Sequence, residues 1–138
     1  KRPGIKRVID GVAVHPYADT PEKMMRKIQK LRAVMIAHGQ RNTDLWVTEF
    51  GWGSQARGKT KTPIEFSFRG QARALRRSYE LLLSKRREWR LQGAYWFTWK
   101  DIPESIAPCT FCDSVGLVRA NGTPKPALAA FDRLPRLR

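Results

Sequence analysis

Near its start, the sequence alternates apolar residues with small or polar ones. Val8, Val12 and Val14 fall on one face of an extended chain, while the opposite face carries mostly small residues and ends in His15. This period of two is typical of a strand, and Pro16 interrupts it. The pattern predicts a first strand over Val8 to His15.

A helical spacing replaces the alternation after Thr20. Thr20 suits the N-cap of a helix and Pro21 suits its first position, whereas Gly39 is typical of a helix end. Apolar residues recur every three or four positions between these signals, which predicts an amphipathic helix of about 18 residues. They are Met24, Ile28, Leu31 and Met35.

Two further strands and two further helices follow along the chain. An apolar run from Leu45 to Phe50 predicts a second strand, which breaks at Gly51 into a long loop. A periodic stretch from about Ile64 to Trp89 predicts a second helix, and the aromatic run from Leu91 to Trp99 predicts a third strand. After another long loop, a last helical segment lies near Pro126 to Leu134.

The alternation of strands and helices indicates the fold class. Strands separated by crossover helices pair in parallel and have right-handed connections. The predicted class is therefore α/β, either a doubly wound sheet or part of an α/β barrel. No repeat, low-complexity segment or linker divides the 138 residues, so we expect residues 1–138 to form a single domain.

The composition suits a folded but strongly basic chain. With 27 Lys and Arg against 12 Asp and Glu, the formal charge is +15, which attracts nucleic acids, anionic glycans or acidic cell walls without specificity. Seven arginines lie along the predicted second helix or directly after it, a pattern typical of a solvated helix face. The interleaved aromatics of nucleic-acid modules are not evident, so we expect no specific nucleic-acid partner. These arginines are Arg69, Arg73, Arg76, Arg77, Arg86, Arg87 and Arg90.

Apolar runs are too short for a membrane segment. No stretch of about 18 uncharged apolar residues occurs, and the first seven residues lack the apolar run of a signal peptide. We therefore expect no membrane association, and we expect any signal peptide to lie upstream of Lys1.

Three consecutive predicted strands end in His15, Glu49 and Trp99. The C-terminal ends of parallel strands lie on one side of a sheet, where functional groups gather. Glu49 follows an apolar run, where desolvation and neighbouring groups can tune its pKa. Polar or amphipathic side chains at all three ends have no obvious packing purpose, and this coincidence predicts an active site.

Each of these residues also has a structural interpretation. Glu49 could pair with one of the many arginines, and a lone histidine such as His15 is more often a hydrogen-bonded core residue. Tyr95, Phe97 and Trp99 alternate along one strand, a pattern more typical of a core than of a carbohydrate platform, although Trp99 falls at the strand end. The residues by themselves leave both interpretations open.

Cys109 and Cys112 are spaced Cys-x-x-Cys in the loop after the third predicted strand. This spacing is compatible with a metal half-site, a redox motif or a local disulfide. A zinc site needs four ligands and a second cysteine pair is absent. A thioredoxin-like pair would open a helix beside a strand, which this pair does not do.

Several motifs at the predicted strands resemble clan A glycoside hydrolases. Asp10–Tyr17 (DGVAVHPY) is similar to the sixth strand of these enzymes, Val47–Trp52 (VTEFGW) to the seventh and Ala94–Asp101 (AYWFTWKD) to the eighth. The segment from Gly116 to Phe131 resembles the close of such barrels. The resemblance covers nearly the whole chain and implies the C-terminal portion of a (β/α)₈ TIM barrel, with three parallel strands and crossover helices.

The resemblance also implies roles for individual residues. Glu49 corresponds to the nucleophile, which forms a glycosyl-enzyme that water hydrolyses with retention of configuration. His15 and Tyr17 would orient Glu49 or bind sugar hydroxyls. Trp99 would stack under the sugar at the cleavage point, and Trp52 would line a neighbouring subsite. The expected substrate is a poly- or oligosaccharide, and no cofactor or metal is implied.

One part of the family's machinery is missing from the sequence. Retaining hydrolysis needs a second carboxyl group about 5–5.5 Å from the nucleophile, and in this clan it comes from an Asn-Glu pair after the fourth strand. No Asn-Glu occurs here, and nothing in the family supports Asp19, Asp101 or Glu104 as substitutes. Since a complete barrel has roughly 250 residues, we expect a fragment that is inactive by itself, with the acid/base upstream of Lys1.

The resemblance favours an extracellular or cell-envelope protein, because such enzymes typically act outside the cell. In that setting a disulfide between Cys109 and Cys112 would pin the substrate loop. Two alternatives remain: a non-catalytic carbohydrate-binding relative, and a basic nucleic-acid-associated α/β domain. An acid/base in the upstream sequence would exclude the first, and binding to DNA or RNA that weakens steeply with salt would indicate the second.

Overall fold

The computed structural model describes residues 9–54 and 62–135. Within these residues the strands are β1 (Gly11–Val14), β2 (Asp44–Phe50), β3 (Gly53–Ser54), β4 (Glu65–Phe66) and β5 (Leu91–Trp96). The helices are α1 (Pro21–Ala37), α2 (Phe68–Trp89) and α3 (Pro126–Asp132), and a 3₁₀ turn spans Glu104–Ile106. Most of the predicted loop after β2 and the start of the first predicted strand lie outside the described residues.

The third predicted strand is shorter than its sequence pattern suggests. It ends at Trp96 rather than Trp99, because its partner strand β2 ends at Phe50, which is paired with Trp96. The last hydrogen bond of this ladder joins the Phe97 N–H to the Phe50 carbonyl at 2.8 Å. The peptide bond between Phe97 and Thr98 is cis.

Helix starts follow local capping chemistry. The Thr20 hydroxyl accepts a hydrogen bond from the Lys23 N–H at 3.2 Å, so the predicted N-cap of α1 is confirmed. The second helix begins at Phe68, not at Ile64, because the hydroxyl of Ser67 caps it. The intervening residues form β4 instead, which pairs with β3.

β1, β2 and β5 form one parallel sheet in that order, with β2 in the centre. Among these three strands, each lies beside the one that precedes it along the chain. Right-handed crossovers therefore place α1 and α2 on the same face of the sheet. Met24 and Ile28 of α1, Leu82 of α2 and the β2 residues Leu45 and Val47 belong to one core cluster. The predicted α/β class with parallel strands is confirmed, and both crossover helices pack on one side, unlike those of a doubly wound sheet.

The opposite face of the sheet is crossed by Trp46. Its indole stacks on the Tyr95 ring with the centroids 6.4 Å apart. A Cβ atom on Gly93 would lie 2.9 Å from this indole, and one on Gly11 would lie 3.3 Å from it. The two glycines let the large ring lie close to the neighbouring strands.

A buried glutamine ties α2 to the loops above the sheet. The Gln71 side chain is fully buried, and its Nε2 donates toward the carbonyls of Trp52 at 2.9 Å and Val115 at 3.1 Å. The carbonyls of Ser114 and Gly116 lie 3.3 Å from the same nitrogen. One side chain thus holds both the turn after β2 and the segment before α3.

Candidate active site

The carboxylate of Glu49 lies at the C-terminal end of the central strand β2, where two residues that follow β1 meet it. The hydroxyl of Tyr17 donates a hydrogen bond to Glu49 Oε2 at 3.1 Å. His15 Nδ1 lies 3.4 Å from the same oxygen. The sheet therefore brings together three of the residues expected at the site. Among the described residues, the basic nitrogen within 4 Å of the Glu49 carboxylate belongs to this histidine and not to an arginine.

The site is open to solvent rather than enclosed. The Glu49 side chain is 35% exposed, so the desolvation expected for a carboxylate after an apolar strand is incomplete. His15 is exposed as well. A carboxylate in this setting is reachable by a ligand and held in place by hydrogen bonding.

The phenol of Tyr17 remains protonated in this arrangement. Burial raises its pKa well above the ordinary tyrosine value, and the hydrogen bond to the Glu49 carboxylate raises it further. The ring lies edge-on to Phe97 and to Phe111, at centroid distances of 6.5 and 5.4 Å. A protonated, clamped Tyr17 is a fixed donor to Glu49.

Trp99 lies beyond the sheet, on the loop that follows β5. Its carbonyl accepts hydrogen bonds from the N–H groups of Leu117 and Val118, at 2.9 and 3.0 Å. Its side chain is nonetheless 61% exposed. The expectation that Trp99 ends a strand is wrong, but the backbone bonds hold a largely uncovered indole in place.

Trp52 is part of the core. It is only 1% exposed, its ring packs against Phe50 and Trp96, and its indole N–H donates to the Ala18 carbonyl at 2.8 Å. An indole this deeply buried has no face free for a sugar, so the expectation that Trp52 lines a subsite is wrong. The N–H bond satisfies the ring's polar group inside the core.

Asp101 has a structural role. Its carboxylate forms a buried ion pair with Lys125 Nζ at 2.5 Å and accepts a hydrogen bond from the Gly116 N–H at 2.8 Å. Burial raises the pKa of the Asp101 carboxyl and lowers that of the Lys125 ammonium. The Lys125 side chain is only 1% exposed. The ion pair with Lys125 thus argues against an acid/base role for Asp101. Sequence patterns do not reveal this partner.

The two other carboxyl groups considered as substitutes lie near the surface. Asp19 pairs with Lys23, four residues along the chain in the first turn of α1, and the bond to this ammonium holds the carboxyl pKa below its ordinary value. A lowered pKa suits an anion rather than a proton donor at neutral pH. Glu104 lies in the exposed 3₁₀ turn.

Cys109 and Cys112 form a disulfide within the loop after β5, with their Cα atoms 5.2 Å apart. The Phe111 ring that packs on Tyr17 belongs to this small ring of residues. Sequence patterns give no sign of this contact, because Phe111 lies in a loop without periodicity. Its place between the two cysteines is the one signal that could have pointed to it.

Neither metal ligation nor membrane insertion finds support in residues 9–54 and 62–135. No group of three or more His, Cys, Asp or Glu side chains lies together in these ranges in a way that could hold a metal ion. None of the helices there combines the length and apolarity that membrane crossing requires.

No protein-family model matches the sequence, and no match is found among curated proteins. Solved structures do share its fold. A GH2 β-galacturonidase from Eisenbergiella tayi matches 94% of this chain with a TM-score of 0.65 and 15% identity, over 24% of its own chain. A family 39 glycoside hydrolase from Bacteroides cellulosilyticus matches 88% of this chain with a TM-score of 0.60 and 24% identity, over 26% of its own chain.

The β-glucuronidase of Ruminococcus gnavus gives a similar result. It matches 90% of this chain with a TM-score of 0.58 and 22% identity, over 22% of its own chain. The present chain therefore spans about a quarter of the length of these proteins. Its structural neighbours are glycoside hydrolases, and what it shares with them is the fold of one part of their chains.

Proposed function

We propose that this chain is the C-terminal part of a (β/α)₈-barrel retaining glycoside hydrolase in which Glu49 is the nucleophile. The observation that carries the proposal is the convergence of Tyr17 and His15 on one carboxylate at the end of the central parallel strand. The likeness to parts of glycoside hydrolase structures supports the barrel assignment. So do the sequential strand order and the single helical layer.

The contacts of Glu49 suit a nucleophile. Both contacts to described residues fall on Oε2, which leaves Oε1 to attack the anomeric carbon. Attack forms a covalent glycosyl-enzyme as the aglycone leaves, and water then hydrolyses this intermediate with net retention. The Tyr17 hydroxyl, kept protonated by its raised pKa, orients the carboxylate before attack and remains a donor to the ester that forms.

Trp99 supplies a surface for the sugar. An indole that is largely exposed and held at its backbone carbonyl offers an apolar face that matches the C–H face of a pyranose. His15, exposed beside Glu49, is placed to bind a sugar hydroxyl. The proposed substrate class is a poly- or oligosaccharide.

In this proposal the acid/base is supplied by a part of the barrel that the chain does not contain. Asp101 and Asp19 are engaged by lysines, which argues against their protonating a leaving group. The same observation favours a second candidate, a carbohydrate-binding relative that has lost catalysis. An Asn-Glu pair after a strand in the rest of the protein distinguishes the enzyme from this relative.

We further propose that the protein acts outside the cytoplasm, in an extracellular or cell-envelope setting. The Cys109–Cys112 disulfide supports this location, because disulfides persist in oxidising compartments and are rare in the cytosol.

Replacement of Glu49 by Gln in the complete protein tests the function. The amide keeps the shape of the side chain but cannot act as an anionic nucleophile, so we expect kcat to fall by about three orders of magnitude or more. Glu80→Gln, at an exposed position of α2 where the carboxylate pairs with Arg76, is the matched control and should leave kcat unchanged. A Glu49→Gln enzyme that keeps a tenth of the wild-type turnover would remove Glu49 from the mechanism.

A further inference from the structure

The disulfide-closed turn in the loop after β5 presents the aromatic ring of Phe111 to the site. Phe111 packs edge-on against Tyr17 with a centroid distance of 5.4 Å, while Phe97 contacts the same ring at 6.5 Å. The hydroxyl of the clamped tyrosine donates to Glu49 at 3.1 Å. At its own backbone, Tyr17 is bonded through its carbonyl to Lys27 Nζ. Phe111 is therefore connected to the Glu49 carboxylate through one intervening side chain, that of Tyr17.

Covalent and backbone bonds fix the turn that carries Phe111. The disulfide joins the residues on either side of the Thr110–Phe111 pair. Within the turn the Cys112 N–H donates to the Cys109 carbonyl at 3.2 Å, and the Ser114 N–H donates to the Phe111 carbonyl at 3.1 Å. Cys112 also accepts a bond from the Ile102 N–H through its carbonyl, at 3.1 Å.

The size of the disulfide ring indicates a local role. A crosslink between residues three positions apart closes a very short loop, so it removes little conformational freedom from the unfolded chain. Its main effect is on the shape of the turn itself. Cys112 is buried while Cys109 is partly exposed, so a reductant can reach the bond from solvent.

We propose that Phe111 is a positioning residue for Tyr17, and that the Cys109–Cys112 disulfide holds it in that place. Phe111 covers the phenol ring from the loop side, so that the hydroxyl remains directed at Glu49 Oε2. Reduction of the disulfide releases the turn, uncovers Tyr17 and loosens its bond to Glu49. The consequence for catalysis rests on the proposed function, whereas the contact itself is testable without any substrate.

The test is a fluorine NMR titration of one tyrosine at a time in the 138-residue chain. 3,5-Difluorotyrosine is placed at position 17 or at position 79, because its fluorines lower the intrinsic pKa of the phenol and so bring even a raised ionisation into a measurable pH range. Both phenols have pKa values raised by burial, but Tyr79 packs on Phe50 and Phe131, away from the disulfide loop. The pKa at position 79 therefore reports on the integrity of the fold, and the pKa at position 17 reports on whether Phe111 still covers the phenol ring.

Phe111→Ala should lower the pKa at position 17 by about one unit or more, since solvent then reaches the phenol. Phe111→Tyr keeps the ring and should keep the pKa of the parent chain, as should Ile106→Ala, a change at a 70% exposed residue of the same loop. Reduction of the disulfide should lower the pKa at position 17 as Phe111→Ala does. The pKa at position 79 should stay constant throughout.

An unchanged pKa at position 17 in Phe111→Ala would overturn the positioning role, and an unchanged pKa after reduction would overturn the role of the disulfide. If Phe111→Ala lowers the pKa at both positions, the fold itself has been disturbed. Phe111→Val, a smaller truncation of the same cover, then decides: a fall at position 17 alone supports the proposal, and a fall at both positions or at neither contradicts it. None of these outcomes depends on whether Glu49→Gln abolishes hydrolysis.

Discussion

At the scale of single residues, two tryptophans of the chain have opposite environments. Trp52 is enclosed by aromatic rings and has its N–H bonded to a carbonyl, whereas Trp99 is uncovered and held through its backbone. The first is a core residue, and in the proposed function the second is a surface for a sugar. Substitution separates these roles cleanly, because loss of a core indole lowers stability and loss of an exposed one does not.

Trp99→Ala is expected to weaken sugar binding by the complete protein while leaving its stability within about 0.5 kcal/mol of the wild type. Stacking on an aromatic ring is worth on the order of 1–3 kcal/mol, by analogy with nucleobases, so the dissociation constant should rise roughly fivefold to more than a hundredfold. Calorimetric titration with an oligosaccharide measures the effect, and Ile106→Ala in the same loop is the control. Unchanged affinity with a lowered melting temperature would make Trp99 a structural residue.

Sequence patterns locate the carboxylate and its neighbours because strand ends obey a simple rule. In a parallel sheet the C-terminal ends lie together, so the meeting of His15 and Glu49 follows from the order of strands and helices alone. The burial of Trp52 does not follow in the same way. It depends on rings from β5 and on the Ala18 carbonyl, which are distant in sequence and carry no local signal.

At the scale of elements, the buried Asp101–Lys125 pair joins the loop after β5 to the start of α3. The Gly116 N–H and the Ser114 carbonyl complete its hydrogen bonding. Burial disfavours each charge more than the partner restores it, as the pKa directions of both groups indicate. The pair thus fixes the geometry of the loop more than it adds to stability.

Single and double substitutions should therefore behave very differently. Asp101→Asn leaves the Lys125 ammonium buried without a counter-charge, and Lys125→Met does the same to the carboxylate, so each should cost about 3–5 kcal/mol. The double variant carries neither of these buried charges and should fold with a stability within about 1 kcal/mol of the wild type. Urea unfolding of the wild type, the two single variants and the double variant gives the four free energies of a double-mutant cycle. A double variant as unstable as either single variant would show that the pair itself is strongly stabilising, and additive losses would show that the two charges are not coupled; either result would contradict this account.

Helix boundaries can be predicted from the sequence where capping residues mark them. Strand boundaries that depend on pairing with another strand cannot. Thr20 and Pro21 specify the start of α1 by local chemistry. The third strand stops at Trp96 because β2 offers no further partner, a fact outside its own sequence. β3 and β4 are two residues each, too short to leave a periodic pattern.

At the scale of the whole molecule, one layer of helices covers one face of a three-stranded sheet. The other face carries Trp46 and a half-exposed Tyr95. In a complete barrel such a face points inward, toward the other strands. The large charge of +15 concerns solubility and association with anions, not the fold.

The 138-residue chain by itself is expected to show no turnover of an unactivated oligosaccharide, even though Glu49 is present. Protonation of the leaving group typically contributes about 10²–10⁴-fold, and the remaining strands would supply positioning worth several kcal/mol more. Activated aryl glycosides are the sharper probe, because their leaving groups need little acid assistance. Robust hydrolysis of an unactivated oligosaccharide would overturn the fragment interpretation and return Asp19 or Glu104 to consideration as the acid/base.

The buried amide of Gln71 limits how the two loops that it contacts can change in length and sequence. A single nitrogen contacts the backbone of the turn after β2 and that of the segment before α3. An insertion that shifts either loop would break bonds made to the other, so the two loops cannot vary independently. We expect related proteins that keep Gln71 to carry paired changes in both loops. In those that lack this glutamine, we expect both loops to be replaced.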